Sequence, residues 1–308
     1  MSDVQRIAVI MSTYNPGNEA EAQVKTILEQ ENVSVELFIR DDGSAIESRE
    51  LLKKLAISDR RIHLTLADNV GFKRSFMLAI KAAPDFDFYA FSDQDDVWSP
   101  TKLWKLIQKI QLEESDVPVL GLGNGVVTRD SKFLSKLYPN IQMYQTPMDV
   151  SFRATYGMSF VMNKALFDYL EDEDVAAFDK FAHDQLAALL ATLLGKIVVV
   201  DENMIEYIQS DRNASGYKET HNTLFKKLSL YFERFKDWSD RLSQNLVEVA
   251  YFLQTKELTA QANDILEVVL SSKRTIFGKL KLIMTPTWHS HSLPQNIVTF
   301  ILIIKGRV

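Results

Sequence analysis

Three carboxylates in four residues, Asp93-Gln94-Asp95-Asp96, stand directly behind an apolar, strand-like run. Carboxylates two positions apart at a strand end can reach one point when the backbone turns there. Hard oxygen donors of this kind suit Mg2+ or Mn2+ held jointly with a diphosphate, and such a cation neutralises charge on a departing phosphate. Alone, a D-x-D cluster is a weak signal and reads first as a solvated acidic turn. Its flanks argue for chemistry, because the run from Ser92 to Pro100 follows a strand pattern and precedes a helix with Pro100 near its start, and Trp98 is expected to pack the turn. Two more polar, sharply turning segments, Ser12 to Gly17 and Arg40-Asp41-Asp42-Gly43-Ser44, also follow strand patterns. A second candidate is His183-Asp184 at the head of an Ala/Leu-rich helix. A carboxylate there is a general base or a helix N-terminal charge that favours the dipole, and the residues alone leave both open.

The elements that must carry these turns follow from periodicity. Residues 7–11, 33–39, 62–66 and 86–91 read as strands, with a helix carrying apolar Val24, Ile27 and Leu28 and helices over about 46–57 and 72–82 between them. Strands separated by helices of 10–15 residues indicate βαβ units and a mostly parallel sheet, whose ligands bind beyond the carboxyl ends of the strands. A strand near 117–127, a loop-rich stretch to Met148, a run over 152–162 leading to a helix, a helix over 181–194 ending at Gly195 and a strand over 196–200 come next. Apolar Leu224, Leu228, Tyr231 and Phe235 recur at helical spacing, so residues 220–270 are expected to be helical, as core first and partner surface second.

Composition narrows the class. The chain has 308 residues, 46% hydrophobic and 25% charged, which suits one large α/β domain with an appendage or two modest domains. No cysteine is present, which removes disulfides, iron–sulfur clusters and thiolate zinc sites. The N-terminal apolar run is too short for a signal peptide, and the stretch Ile297 to Ile304 is far shorter than the roughly 20 residues that span a bilayer. A cytoplasmic protein is expected. The net charge of -6 is split between an acidic body and a basic surplus after Tyr217, and from Val268 to Val308 there is no acid. This pattern argues against nucleic acid as a partner. The basic, apolar tail either covers the protein's own core or lies against anionic lipid at the inner face of the membrane. His289 and His291, in a Ser/Pro-rich loop without nearby acid, read as an ordinary turn rather than a metal site.

Taken together, Ser12-Thr13-Tyr14-Asn15, Arg40 to Ser44, Asn69-Val70-Gly71 and Phe91 to Trp98 resemble the family-2 inverting glycosyltransferases of the GT-A fold. The form Ser-Asp-Gln-Asp-Asp-Val-Trp is similar to the bacterial rhamnosyltransferase branch that builds cell-wall or capsular polysaccharide. The resemblance extends through Gly157 to Asn163, His183-Asp184 and Tyr207 to Gly216. It implies a GT-A, Rossmann-like domain over residues 1–216, mostly parallel and flanked by helices, with a helical C-terminal region over 217–308. It implies that Thr13 and Tyr14 line a nucleotide pocket, that Asp41 contacts the base, and that Asn69, Gly71 and Arg74 meet a nucleotide-sugar. Asp93 would touch ribose and metal, and Asp95 would be the principal ligand of Mn2+ or Mg2+. Asp184 would be the base, with Asp179 a weaker competitor, and His183 would orient or contact the acceptor. The expected activity is transfer of L-rhamnose from dTDP-rhamnose to a glycan or lipid-linked acceptor. The alternatives are a UDP-hexose donor and a degenerate protein that binds nucleotide-sugar without turnover. One departure stands out: the branch's Tyr-Arg-x-His segment reads Tyr207-Ile208-Gln209-Ser210 here, which leaves Ser210 or Asp211 to replace a metal-shell histidine.

Overall fold

Among the described residues nine strands form one sheet in the order β3 (Ile62–Ala67), β2 (Val33–Asp42), β1 (Gln5–Thr13), β4 (Phe88–Ser92), β8 (Phe160–Asn163), β6 (Val119–Arg129), β9 (Lys196–Ile208), β5 (Val97–Trp98), with β7 (Lys132–Lys136) added beside β6. The structure, a computed structural model, describes residues 4–171, 181–209, 249, 253–254, 260–286, 289–291 and 293–304. β1 (Gln5–Thr13), β2 (Val33–Asp42), β3 (Ile62–Ala67) and β4 (Phe88–Ser92) are mutually parallel. β1 lies inside this half: Ile7, Ala8, Val9, Ile10 and Met11 are completely buried. A strand covered on both faces carries a continuous apolar run rather than an alternating one, as this one does. The helices α1 (Glu19–Leu28), α2 (Ile46–Ser58) and α3 (Phe72–Lys81) make the crossovers. α2 buries only Leu52, whereas α3 turns Phe76, Met77 and Ile80 inward.

Register brings the three polar turns to one edge. Thr13 lies opposite Asp41, Met11 opposite Ser92, and Asp42 opposite Ala67. The acidic turn then enters β5 (Val97–Trp98), only two residues long, which pairs antiparallel with Glu206 and Ile205 of β9 (Lys196–Ile208). α4 (Lys102–Ile110) follows and buries Leu103, Leu106, Ile107 and Ile110 on one stripe.

Beyond β4 the strands change direction. β8 (Phe160–Asn163) runs antiparallel to both β4 and β6 (Val119–Arg129), and β6 pairs parallel with β9. The stretch over 152–162 is not one strand. It holds the end of α5 (Pro147–Phe152), a 3-10 turn (Gly157–Ser159) and only then β8, followed by α6 (Lys164–Glu171). β9 continues past Val200 to Ile208 because β6 remains beside it as far as Thr128, although Asp201 and Glu202 are exposed. α7 (His183–Leu194) precedes it.

The chain folds as two compact units, one comprising Met1–Gln142, Tyr156–Ala191 and Gly195–Gly216, the other Met143–Thr155, Thr192–Leu194 and Tyr217–Val308. In the second unit α8 (Ala260–Arg274), α9 (Ile276–Met284) and α10 (Leu293–Ile304) are described. Most of the helical expectation over 220–270 lies outside the described residues. The carboxylate of Asp149, wholly buried, organises this unit. It accepts from Thr146 Oγ1 (2.9 Å), Ser290 Oγ (2.7 Å), the His291 backbone N–H (3.1 Å) and His291 Nδ1 (2.8 Å). His289 instead meets the Ile283 carbonyl at 2.7 Å, so the two histidines serve separate partners. Among the described residues no helix is long and apolar enough to cross a membrane.

Candidate active site

The turns at the sheet edge are tied to one another before any ligand arrives. Asn15 N–H donates to Ser44 Oγ (2.8 Å) and Ala45 N–H donates back to Asn15 Oδ1 (2.8 Å), joining the turns after β1 and β2. The Tyr14 N–H donates to Gln94 Oε1 (2.9 Å), joining the turn after β1 to the acidic turn. Asp42 reaches the fourth turn: its carboxylate accepts from Val70 N–H (3.0 Å) and Gly71 N–H (2.9 Å), while Asn69 Nδ2 donates to its carbonyl (2.8 Å). Arg40 balances that carboxylate at 2.7 Å with both side chains nearly buried, and also donates to Ser75 Oγ at 2.7 Å. The chain can pass this close only because Gly43 sits at φ 79°, and a Cβ on it would stand 2.6 Å from the Asn69 nitrogen.

The donor-side residues therefore differ in exposure. Thr13 is buried, with no hydrogen-bond partner for Oγ1 among the described residues, while the Tyr14 ring is about half exposed. Asp41 is fully buried and holds Ser44 and Arg49, the latter from Nε at 2.9 Å. Asn69, Gly71 and Arg74 are exposed, Arg74 on the first turn of α3.

The acidic turn has too much negative charge for its surroundings. Asp93 is pushed up to about 7, first by burial and then by Asp95 and Asp184, with Lys102 opposing. Asp95 is raised by burial and by Glu19. Asp96 is buried, with both carboxylate oxygens lacking hydrogen-bond partners among the described residues, and burial raises it well above the usual carboxylate range. Beneath them the fully buried Lys102 places its Nζ 3.0 Å from the centre of the Trp98 ring, and burial lowers its ammonium well below the ordinary value. Trp98, buried, packs the turn, and its backbone N–H donates to Thr26 Oγ1 (3.2 Å). Among the described residues no three acidic or imidazole side chains form a ready metal shell. The donor set nevertheless fits a hard divalent cation, since Asp93 and Asp95 offer carboxylate oxygens in a crowded acidic cluster. Mg2+ commonly takes one or two protein carboxylates and completes its shell with substrate phosphates.

Asp184 lies in the first turn of α7, its Oδ1 accepting from Gln185 N–H at 2.7 Å. It is near enough to raise both Asp93 and the Tyr156 hydroxyl. The sheet thus brings the base candidate and the acidic turn together across about 90 residues of chain. His183, its neighbour, is nearly buried. Its ring stacks on Phe76 (centroids 3.7 Å) and meets Phe91 edge-on (4.6 Å). Burial holds it down to about 3, so it is a neutral imidazole at physiological pH. Gly157 makes room for it, since a Cβ there would lie 2.7 Å from His183 Nε2. Asp179, Ser210 and Asp211 lie outside the described residues.

Sequence reasoning missed Arg49, Ser75, Gln94 and Lys102. Lys102 alone carried a signal, a lysine on the apolar stripe that continues through Leu106 and Ile110. The other three are ordinary surface-type residues whose roles come from strand register.

Known proteins extend this picture. The profile of the family described as "Glycosyl transferase family 2" matches residues 8–170. A dTDP-rhamnosyl transferase, RfbG of Shigella flexneri, is 25% identical over 71% of this chain and 78% of its own length. An uncharacterised glycosyltransferase of Nostoc sp. is 31% identical over 35% of this chain, and that match spans only 34% of the Nostoc protein. Among solved structures, a mannosyltransferase from Pyrobaculum calidifontis in complex with GDP-Man and Mn2+ superposes with a TM-score of 0.52 at 15% identity, covering 99% of this chain and 86% of that one. The last likeness is one of fold: a mixed sheet with flanking helices of the GT-A type.

Proposed function

The chain belongs to glycosyl transferase family 2, and from that premise we propose that it transfers L-rhamnose from dTDP-rhamnose, with inversion, to a glycan or lipid-linked polysaccharide precursor. The observation that carries the reading is the approach of Asp184 to the acidic turn, close enough for its charge to raise Asp93. In an in-line displacement the base works across the anomeric carbon from the leaving diphosphate, beside the acceptor hydroxyl it deprotonates, so base and acidic turn must share one site. Asp184 removes the acceptor hydroxyl's proton as that oxygen bonds to the anomeric carbon. The bond from that carbon to the diphosphate oxygen breaks, and the nucleoside diphosphate leaves with the electron pair. Asp93 and Asp95 are the residues that would hold Mn2+ or Mg2+, which when bound supplies Lewis-acid neutralisation of the leaving diphosphate. Thr13, Tyr14, Asp41, Asn69, Gly71 and Arg74 surround the nucleotide-sugar. His183, neutral and stacked on Phe76, acts on the acceptor side by fixing the position of Asp184. The similarity to RfbG supports rhamnose; the second reading is a UDP-hexose donor in the same site.

We further propose that the basic tail of the C-terminal region, 217–308, makes peripheral contact with the inner face of the cell membrane.

Thermal unfolding against a panel of nucleotide-sugars, with and without Mn2+, tests the donor: a true donor at 100 times its Kd adds about 2.7 kcal/mol of stability. Flat melting curves throughout would remove the donor site. Asp184→Asn is expected to lower turnover by about 100-fold or more while leaving donor-induced stabilisation intact. Full transfer by that variant would disprove the base.

A further inference from the structure

Two helices of the second unit expose apolar faces that a water-facing surface does not need. On α9, Ile276 is 79% exposed, Phe277 77% and Met284 77%, with Leu280 between them; on α10, Ile297, Ile301 and Ile304 are exposed at helical spacing. Their opposite sides are occupied: Leu282 and Ile303 are buried, and Gly278 lets α9 approach the carbonyl of Ser271. Lys279 Nζ donates to the Ile304 carbonyl at 3.2 Å, which seats the end of α10 beside α9. The charges around them have one sign. Lys273, Arg274 and Lys281 are exposed near the apolar residues, and no acid occurs from Val268 to the end of the chain.

We propose that this α9–α10 face is a lipid-docking surface. On it Ile276, Phe277, Leu280 and Met284 enter the interfacial region of an anionic bilayer while Lys273, Arg274 and Lys281 pair with its headgroups. This deepens the peripheral-contact reading and rests on it. Apolar side chains flanked by cations are what an interfacial helix presents to acidic lipid. A second copy of this chain is a poor occupant, because a self-complementary contact would set cations against cations with no acid to answer them.

The test is flotation of the full chain with phosphatidylcholine vesicles, with and without phosphatidylglycerol and with no acceptor lipid present. The wild type is expected to float with the phosphatidylglycerol vesicles only, and to release as salt is raised. Ile276→Glu/Phe277→Glu is expected to weaken that binding at least tenfold, and Lys273→Glu/Arg274→Glu to do so with a shallower salt dependence. Unchanged donor-induced stabilisation in these variants verifies that they fold. If the wild type floats and both variants float equally well, the proposed face is wrong while peripheral contact survives. If the wild type floats with no vesicle, both fall. A wild-type dimer that Ile276→Glu/Phe277→Glu converts to monomer, with vesicle binding unaltered, would overturn the proposal in favour of self-association.

Discussion

The buried imidazole of His183 makes stability depend on pH in a way that can be isolated. In the folded chain the ring is held down to about 3 by burial alone, stacked on Phe76 with neither nitrogen hydrogen-bonded among the described residues. Unfolded, a histidine titrates near 6.5. Below pH 6.5 the unfolded chain therefore binds a proton that the folded chain refuses, and stability falls as pH drops. Each pH unit between the two values costs about 1.4 kcal/mol, so at pH 5 the loss is about 2 kcal/mol relative to pH 7.5. Asp93 acts in the opposite sense. Its folded value is raised to about 7, so the folded chain holds an extra proton between the ordinary carboxylate range and 7 and gains stability as pH falls there. The wild-type profile alone mixes the two. The difference between wild type and His183→Leu, from urea unfolding of metal-free protein at pH 7.5, 6.5, 5.5 and 5.0, contains only the histidine. Lost stacking gives His183→Leu a deficit of about 1 kcal/mol at pH 7.5, and that deficit should shrink and reverse by pH 5. A difference that stays constant across the series would show that His183 protonates within the fold, and the packing argument would fail.

Two other substitutions probe the scaffold. Asp42→Asn strands the buried Arg40 guanidinium and should cost about 3–5 kcal/mol in urea unfolding, together with weaker donor binding as the 69–71 turn loosens; a loss under about 1 kcal/mol would mean that this ion pair is not what holds the turn. Asp149→Ala removes the acceptor for Thr146, Ser290 and His291, and should raise amide exchange at His291 by about 10- to 100-fold, equivalent to about 1.4–2.8 kcal/mol of local opening. Unchanged exchange there would refute the clasp.

The parallel half of the sheet was legible in the sequence because both of its signals are local. Continuous apolar runs mark strands covered on two faces, and residues 33–39, 62–66 and 72–82 lie within about one or two residues of β2, β3 and α3 at most of their ends. The polar turns were legible as strand ends. Their mutual hydrogen bonds were not, since Tyr14 and Gln94 are 80 residues apart and meet only through the register of β1 and β4. The antiparallel insertion of β8, and the second half of β9, depend on partners rather than on their own pattern: Asp201-Glu202 reads as a loop until β6 lies beside it. His183 was read for its polarity, whereas Phe76, Phe91 and Gly157 decide where its ring goes.

The two-residue strand after the acidic turn has a consequence for how the chain is made. Val97 and Trp98 are pinned by Glu206 and Ile205, and Ser99 N–H donates to the Met204 carbonyl at 2.8 Å. A ribosome has therefore released the whole nucleotide-side half of the sheet long before the segment that clamps Asp93 to Asp96 emerges. Until then the acidic turn after β4 is unfastened on its far side. A chain truncated before residue 204 would keep its parallel strands and lose the clamp on its acidic turn, so the fastening of that edge of the sheet is a late event in synthesis, timed by a contact across more than 100 residues.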